Sequence, residues 1–113
     1  MQEENLILKL TFQFALDIVA FCEILEQSRK YNLANQLFRS GTSIGANVRE
    51  AQGAESKADF IHKVKIAYKE AEETKYWLEI SKAAPSYPDP QNLLVVLESI
   101  QRVIGKIITT SKS

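Results

Sequence analysis

Hydrophobic residues recur with helical spacing in four segments of the chain, at about 5–27, 32–54, 57–83 and 90–111. The third segment is the most regular, because its apolar and small residues alternate in steps of four and three. These residues are Phe60, Val64, Ala67, Ala71, Thr74 and Leu78. One face of the fourth segment carries Leu93, Leu97, Ile100, Ile104 and Ile107. No run alternates apolar and polar residues between turn pairs, so the spacing predicts an all-α, antiparallel up-down four-helix bundle in a single domain, 1–113.

Capping and breaking residues separate the predicted helices. Ser56 and Asp59 have the spacing of a capping box, which starts the third helix near Lys57. Gly53 stands where a helix C-terminus favours a residue that tolerates a left-handed backbone. All three prolines lie in the sequence "PSYPDP", where Asp89 and Pro90 fit the N-cap and the first position of the fourth helix.

The first segment has two apolar stripes. One contains Leu10, Phe14, Ile18, Phe21 and Leu25. The other contains Leu8, Phe12, Ala15, Val19 and Cys22. Together they form an arc wider than one neighbouring face requires. We therefore expect the first helix to be buried on two sides, either within the bundle or partly against another subunit.

The second segment contains the sequence "RSGTSIGANVREAQGAE", whose small and polar residues disfavour a helix by roughly 0.5–1 kcal/mol each relative to alanine. Apolar residues nevertheless keep helical spacing through it, which favours a helix over a ligand-binding loop. Gly41 and Gly45 are four residues apart, a spacing that lets another helix approach closely. Beside them runs a polar stripe. Its members are Gln36, Ser40, Ser43, Asn47 and Glu50. Such a stripe is solvated or forms a buried network that fixes register, and we favour a structural or assembly role over direct ligand contact.

Composition limits the class of protein. The 113 residues are 45% hydrophobic and carry 14 basic and 14 acidic residues, which fits a globular domain without a global excess of charge. A single cysteine, Cys22, cannot form an internal disulfide, so a cytoplasmic location is expected. Lys9, Asp17 and Glu23 interrupt the apolar first segment, so neither a signal peptide nor a membrane association is expected.

The sequence gives little support for a catalytic site or a cofactor site. Gly41 and Gly45 are followed by Ala46 and Asn47, which does not match a phosphate-binding loop. The only histidine, His62, cannot build a di-iron site in a bundle or supply both partners of a nucleophile and base. We expect no catalytic residue, no metal and no cofactor, and hence no enzyme.

A basic cluster is the candidate nucleic-acid site. Lys65 and Lys69 are one turn apart, and antiparallel packing of the second and third helices is expected to bring both near Arg49. A ring of subunits would repeat these weak phosphate contacts. The alternative is a solvated face, because acidic residues are interleaved with the lysines of the third helix.

The stretch "RSGTSIGANVREAQGAESKADFIHKVKIAYKEAEETKYWLEI" resembles a family of small bacterial four-helix bundles. The shared signature joins the small serine-rich stretch to a set of later positions. These are Asn47, Glu50, Ser56, Asp59, Phe60, Ala67, Glu73, Trp77 and Leu78. The family contains the S23-like proteins encoded in intervening sequences of 23S ribosomal RNA genes, together with the accessory variability determinant of diversity-generating retroelements.

This resemblance implies a homopentameric ring without catalytic activity that associates with structured RNA, a ribonucleoprotein or a reverse transcriptase complex. The polar stripe, the glycine pair and Glu73 would then form structural or interface positions. A second hypothesis is a protein-interaction scaffold or accessory protein that does not bind nucleic acid directly. The balanced charge favours this second hypothesis.

Overall fold

The computed structural model describes the backbone of residues 2–112 and the side chains of residues 5–112. It contains four helices, and no strand occurs among the described residues. The helices are α1 (Gln2–Gln27), α2 (Tyr31–Ala51), α3 (Lys57–Ala83) and α4 (Gln91–Lys112). Each helix packs against two others in the cyclic order α1, α2, α3, α4, and the bundle measures 46 × 20 × 19 Å. The predicted all-α four-helix bundle is confirmed.

The helical spacing of the sequence becomes the core of the bundle. The predicted faces of α3 and α4 are buried, except that Phe60 is only half-buried. Phe14 and Ile18 of α1 are fully enclosed, as are Leu37 and Ile44 of α2. The three- and four-residue spacing of the apolar residues therefore predicted correctly which face of each helix is buried.

Local hydrogen bonds explain where two of the helices begin. The Ser56 hydroxyl accepts from the Asp59 backbone amide at 3.0 Å, and the Asp59 carboxylate accepts from the Glu55 amide at 3.2 Å. The Asp89 carboxylate accepts from the Gln91 amide at 3.0 Å, while the Pro90 carbonyl receives the first intrahelical bonds of α4. Both caps had been predicted from residue type and spacing.

The prediction for Gly53 is wrong, since none of the glycines in the described residues has a positive φ. The helix α2 ends at Ala51, before the expected residue 54, and continues as a tight turn. The amides of Gln52, Gly53 and Ala54 each donate to a carbonyl three residues earlier, at 3.0–3.1 Å. These short-range bonds satisfy the last carbonyls of the helix without a left-handed residue. The left-handed position belongs instead to Arg29 (φ 62°), where the Lys30 amide bonds to the Leu25 carbonyl at the end of α1.

Cys22 lies in the interface between α1 and α2, where its thiol donates to the Ala34 carbonyl at 3.4 Å. Burial, helped by the negative charge of Glu26, raises the pKa of this thiol from 9.0 to about 11. The folded chain therefore favours the protonated thiol, and its stability falls as the pH rises from 9.0 towards 11.

We expect native Cys22 to react slowly with a thiol reagent at pH 8, because only thiolate is nucleophilic and the thiol is buried. In guanidinium, Cys22 of the denatured protein should react at the rate of a small model thiol. The reaction can be followed by the absorbance of the released chromophore. Equal rates in the native and denatured protein would show that the α1–α2 interface opens freely around this residue.

Candidate functional site

The two predicted features of α2 lie on different sides of that helix. Gly41 and Gly45 face α1: a Cβ built on Gly41 would lie 2.8 Å from Ile18 Cγ1, and one on Gly45 would lie 3.2 Å from Thr11 Oγ1. The close approach that this glycine pair permits is therefore made by α1 of the same chain. The interface built by these glycines is intramolecular.

The polar stripe of α2 faces α3 instead. Ser40 is fully buried and hydrogen-bonds with the Thr74 hydroxyl at 3.0 Å. Ser43 and Asn47 satisfy the backbone of their own helix, since the Ser43 hydroxyl donates to the Arg39 carbonyl and the Asn47 amide donates to the Ser43 carbonyl. The outermost member, Glu50, forms an ion pair with Lys63 at 3.7 Å. The Ser40–Thr74 hydrogen bond and the Glu50–Lys63 ion pair are the contacts by which this stripe joins α2 to α3.

A charged cluster occupies the outer groove between α2 and α3. Arg39 forms an ion pair with Glu73, whose carboxylate also accepts from Trp77 Nε1 at 3.0 Å. The second amino group of Arg39, Nη1, lies 3.6 Å from Glu70 Oε1, which is buried and has no hydrogen-bond partner. The sequence reasoning selected Glu73 but missed Arg39 and Glu70. Only the register of the two helices shows that these three residues meet.

Replacing Arg39 with alanine should lower the free energy of unfolding by roughly 1–2 kcal/mol, because two acidic side chains would lose their cation and one has a buried oxygen. The effect stays modest since the Arg39 side chain is 53% exposed. Urea unfolding measures it. A suitable control is Arg102→Ala, which removes an exposed pair with Glu98 and should change stability by under about 0.5 kcal/mol. Equal effects of the two changes would contradict a special role for the Arg39 cluster.

The structure does not gather the three candidate nucleic-acid residues into one cluster, so the predicted proximity of Arg49 to Lys65 and Lys69 is wrong. The antiparallel packing of α2 and α3 occurs, but Arg49 points to the other flank of α2, where its Cζ lies 5.7 Å from the centre of the Phe12 ring. Lys65 lies on the side of α3 that faces α4, where the positive charge of Lys112 lowers the pKa of Lys65. Lys69 is exposed one turn further along α3. Arg49 and Lys65 therefore lie on different sides of the bundle.

The outer surface of α1 carries exposed apolar side chains. We call these residues, with one neighbour on α2, the α1 face. Its members are Leu6, Phe12, Leu16, Val19, Ile24 and Phe38. A groove of about 450 Å³ runs beside Phe12 between α1 and α2, and a smaller one of about 340 Å³ lies beside Val19 and Phe38. The second apolar stripe of α1 is thus only partly used within the chain.

Among the described side chains, no three His, Cys, Asp or Glu residues come together as a metal site would require. In the described part of the chain, no helix combines the length and the apolar character needed to cross a bilayer.

Comparison with known proteins agrees with the fold and with the sequence resemblance. The family model described as "23S rRNA-intervening sequence protein" matches residues 3–109. The chain belongs to this family. A protein of unknown function from the S23 ribosomal protein family of Bacteroides thetaiotaomicron VPI-5482 has a similar crystal structure. It is 38% identical to the intervening-sequence chain, with a TM-score of 0.89 over 95% of this chain and 98% of that one. A search of curated proteins found no match.

Proposed function

We propose that this intervening-sequence protein is a non-enzymatic, cytoplasmic assembly protein whose copies form a closed ring and bind structured RNA. The α1 face carries the assembly part of the proposal. Of the nine large hydrophobic residues exposed among the described residues, five lie on α1. Isolated surface hydrophobics are ordinary, but a concentration of them on one helix is typical of an interaction surface.

The magnitudes support association through this surface. Burying a large apolar side chain completely contributes about 1.5–3 kcal/mol, and the six members of the α1 face are roughly half exposed. Covering them would contribute roughly 5–9 kcal/mol on one partner. When two subunits associate, their loss of rotational and translational freedom costs about 4–15 kcal/mol. Because this cost is as large as the contribution of one α1 face, the surface on the other subunit must bury a similar apolar area. A ring provides this, since every copy both offers and receives a surface.

The size of the ring is proposed from the family resemblance, which implies five copies. Each chain has a mass of 12.8 kDa, so a pentamer would have a mass of about 64 kDa. Light scattering coupled to size exclusion measures this mass independently of shape. A mass of 12.8 kDa at micromolar concentration would contradict assembly, whereas another multiple would contradict only the number five.

The RNA part of the proposal rests on a local excess of charge in a neutral chain. Residues 57–69 of α3 contain four lysines and one aspartate, whereas residues 70–83 contain two lysines and four glutamates. A ring would repeat the basic half in every subunit, so weak phosphate contacts would add. We expect the purified oligomer to bind a structured ribosomal RNA fragment with an affinity that falls steeply as salt rises. No binding at low salt would contradict RNA binding and leave assembly standing.

The second candidate function is a protein-interaction scaffold that does not contact nucleic acid, which includes a retroelement accessory role. The balance of 14 basic and 14 acidic residues favours it. An assembled ring that fails to bind RNA at low salt would support this candidate over the first.

A further inference from the structure

The first helix has an open groove on each of its two sides. On the α2 side, Phe12, Val19 and Phe38 border the two grooves described above. On the other side, a larger groove of about 570 Å³ lies between residues 17–24 of α1 and the start of α4, and we call it the α4-side groove. Its apolar lining consists of Ala20, Phe21, Ile24, Pro90, Leu93 and Val96. The exposed apolar residues of α1 therefore serve two adjacent faces of the bundle, which meet along α1.

A closed ring restricts where the two contact faces of each copy can lie. Each copy touches its two neighbours with two different faces, and the edge between these faces points to the ring axis. The directions of the two faces differ by about 90° in a ring of four copies and by about 108° in a ring of five. Adjacent faces of a four-helix bundle differ by about 90°, whereas opposite faces would build an open filament. The two faces beside α1 therefore suit a small closed ring with α1 nearest the axis.

Phe38 and the α4-side groove lie at the same height along the bundle. Cys22 of α1 donates to the Ala34 carbonyl of α2. One turn earlier in α1, Ile18 packs on Gly41. Phe38 lies between Ala34 and Gly41 in α2, so it is level with the α1 part of the groove. Rotation about a ring axis leaves heights along that axis unchanged, so bundles that stand along the axis bring Phe38 to the groove of the next copy.

The groove also matches Phe38 in size and polarity. The Phe38 side chain is 51% exposed in the isolated chain, and Ile24 at the groove is 47% exposed. A cavity of about 150 Å³ holds a benzene ring, so the groove has room for more than one aromatic side chain. Tyr31, two turns before Phe38 on the same side of α2, is 55% exposed. The α4-side groove thus provides the second apolar area that association requires.

One charge pair agrees with this arrangement. Asp17 and Asp89 border the α4-side groove, and none of its lining residues is basic. Arg29 is exposed in the turn between α1 and α2, at the same end of the bundle as Asp89 at the start of α4. Glu23 and Glu26 border the α2 side, so the match in charge is confined to Arg29 and Asp89. Such a pair orients the two copies more than it adds affinity.

We propose that Phe38 of each copy enters the α4-side groove of the next copy, with Arg29 beside Asp89 of that copy and α1 lining the centre of the ring. This inference rests on the ring proposed above and identifies the surface that receives each subunit. Val95 does not line the groove and stays outside the contact. The arrangement accounts for the wide apolar arc of α1, because a neighbour covers it on each side.

A pair of cysteines tests the contact. The first variant is Asn35→Cys with Asn92→Cys, which places one thiol a turn from Phe38 and the other at the groove. The helices α2 and α4 lie diagonally in the bundle and do not touch, so these thiols cannot pair within one chain. The control is Asn35→Cys with Lys106→Cys, which moves the second thiol about 21 Å along α4. All three positions are exposed, and circular dichroism checks that each variant is folded.

After mild oxidation, we expect the first variant to give a ladder of linked chains on a denaturing gel without reductant, because every chain is joined to both neighbours. The control should remain at 12.8 kDa. Adding Phe38→Asp to the first variant should remove the ladder, since an unpaired carboxylate would be buried in the apolar groove. Adding Tyr76→Asp should leave it unchanged, because Tyr76 is 59% exposed on α3, the helix diagonal to α1.

Four results would overturn the proposal, and they are distinguishable. An oligomer of wild-type mass without a ladder would exclude this interface and leave the ring standing. Equal ladders from the first variant and the control would show that the contact has no fixed height. Linked pairs from Asn35→Cys alone would show that two identical faces meet, as in a two-fold dimer. A wild-type chain that is monomeric in light scattering would remove the proposed ring itself, and this interface with it.

Discussion

Replacing Gly41 with alanine should destabilise the bundle by about 2 kcal/mol, although alanine is the better helix former. The added Cβ would lie 2.8–3.1 Å from three side-chain carbons of Ile18, closer than carbon atoms pack. Ile18 is fully buried and β-branched, so it has neither space nor an easy rotamer to move into. Overpacking costs up to about 3 kcal/mol, and the gain in helix propensity of about 1 kcal/mol offsets only part of it.

The other helical glycines serve as controls for this change. A Cβ on Gly105 of α4 would meet nothing within 4 Å, so Gly105→Ala should stabilise the protein by about 0.5–1 kcal/mol. Gly45 lies between these cases, because its Cβ would be 3.2–3.3 Å from Thr11, and Gly45→Ala should have a small effect. Gly45→Leu should disrupt the packing of α1 on α2. Urea unfolding followed by circular dichroism gives all four values. A Gly41→Ala variant as stable as wild type would mean that α1 and α2 lie further apart.

Replacing Leu16 with glutamate should convert the proposed assembly into folded monomers of 12.8 kDa. Leu16 lies near the middle of the α1 face and is 49% exposed in the isolated chain. A carboxylate there can remain in water in the monomer, so the fold should be kept. In an assembly that covers the α1 face, the same carboxylate would be buried without a partner, which costs several kcal/mol.

The matched control for this change is Val95→Glu on α4, where the valine is 64% exposed and belongs to another helix. It introduces the same charge and removes an exposed apolar side chain, but it leaves α1 unchanged. We expect light scattering to give the wild-type mass for this variant and the monomer mass for Leu16→Glu. The opposite pattern would place the interface on α4, and retained mass in both variants would exclude the α1 face.

The sequence predicted those features that depend on nearby residues. Caps such as Ser56–Asp59 involve side chains three residues apart, so residue type and spacing are sufficient to predict them. The buried faces of α3 and α4 follow from helical geometry in the same way. Gly53 was misjudged because a short-range turn can end a helix as well as a left-handed glycine can. Arg29 adopts the left-handed conformation without any signal in its residue type.

Contacts between helices were harder to predict, because they depend on how each helix is rotated about its own axis. Successive residues are about 100° apart around a helix, so a small error in that rotation changes which neighbouring helix a side chain faces. The glycine pair correctly indicated a close helix approach, but spacing could not tell whether the partner was α1 or another subunit. Arg49 and Lys65 were placed together for the same reason. Only the rotation of α2 and α3 shows that Arg49 faces α1 and Lys65 faces α4. The same information was needed to bring Arg39 to Glu70 and Glu73.

The uneven charge of α3 has a consequence for any ring built from this chain. In a ring with rotational symmetry, every copy has the same inclination to the plane of the ring. If the long axis of each bundle is inclined to that plane, all the lysine-rich ends lie on the same side of the ring. Lys57, Lys65 and Lys69 of each subunit would lie towards that side, and Glu72 and Glu79 towards the other, whereas Lys63, Glu70 and Glu73 form ion pairs within the chain. The ring would then be two-sided, with one side attracted to polyanions and the other repelled. If such a ring binds RNA as proposed, it would do so in a single orientation.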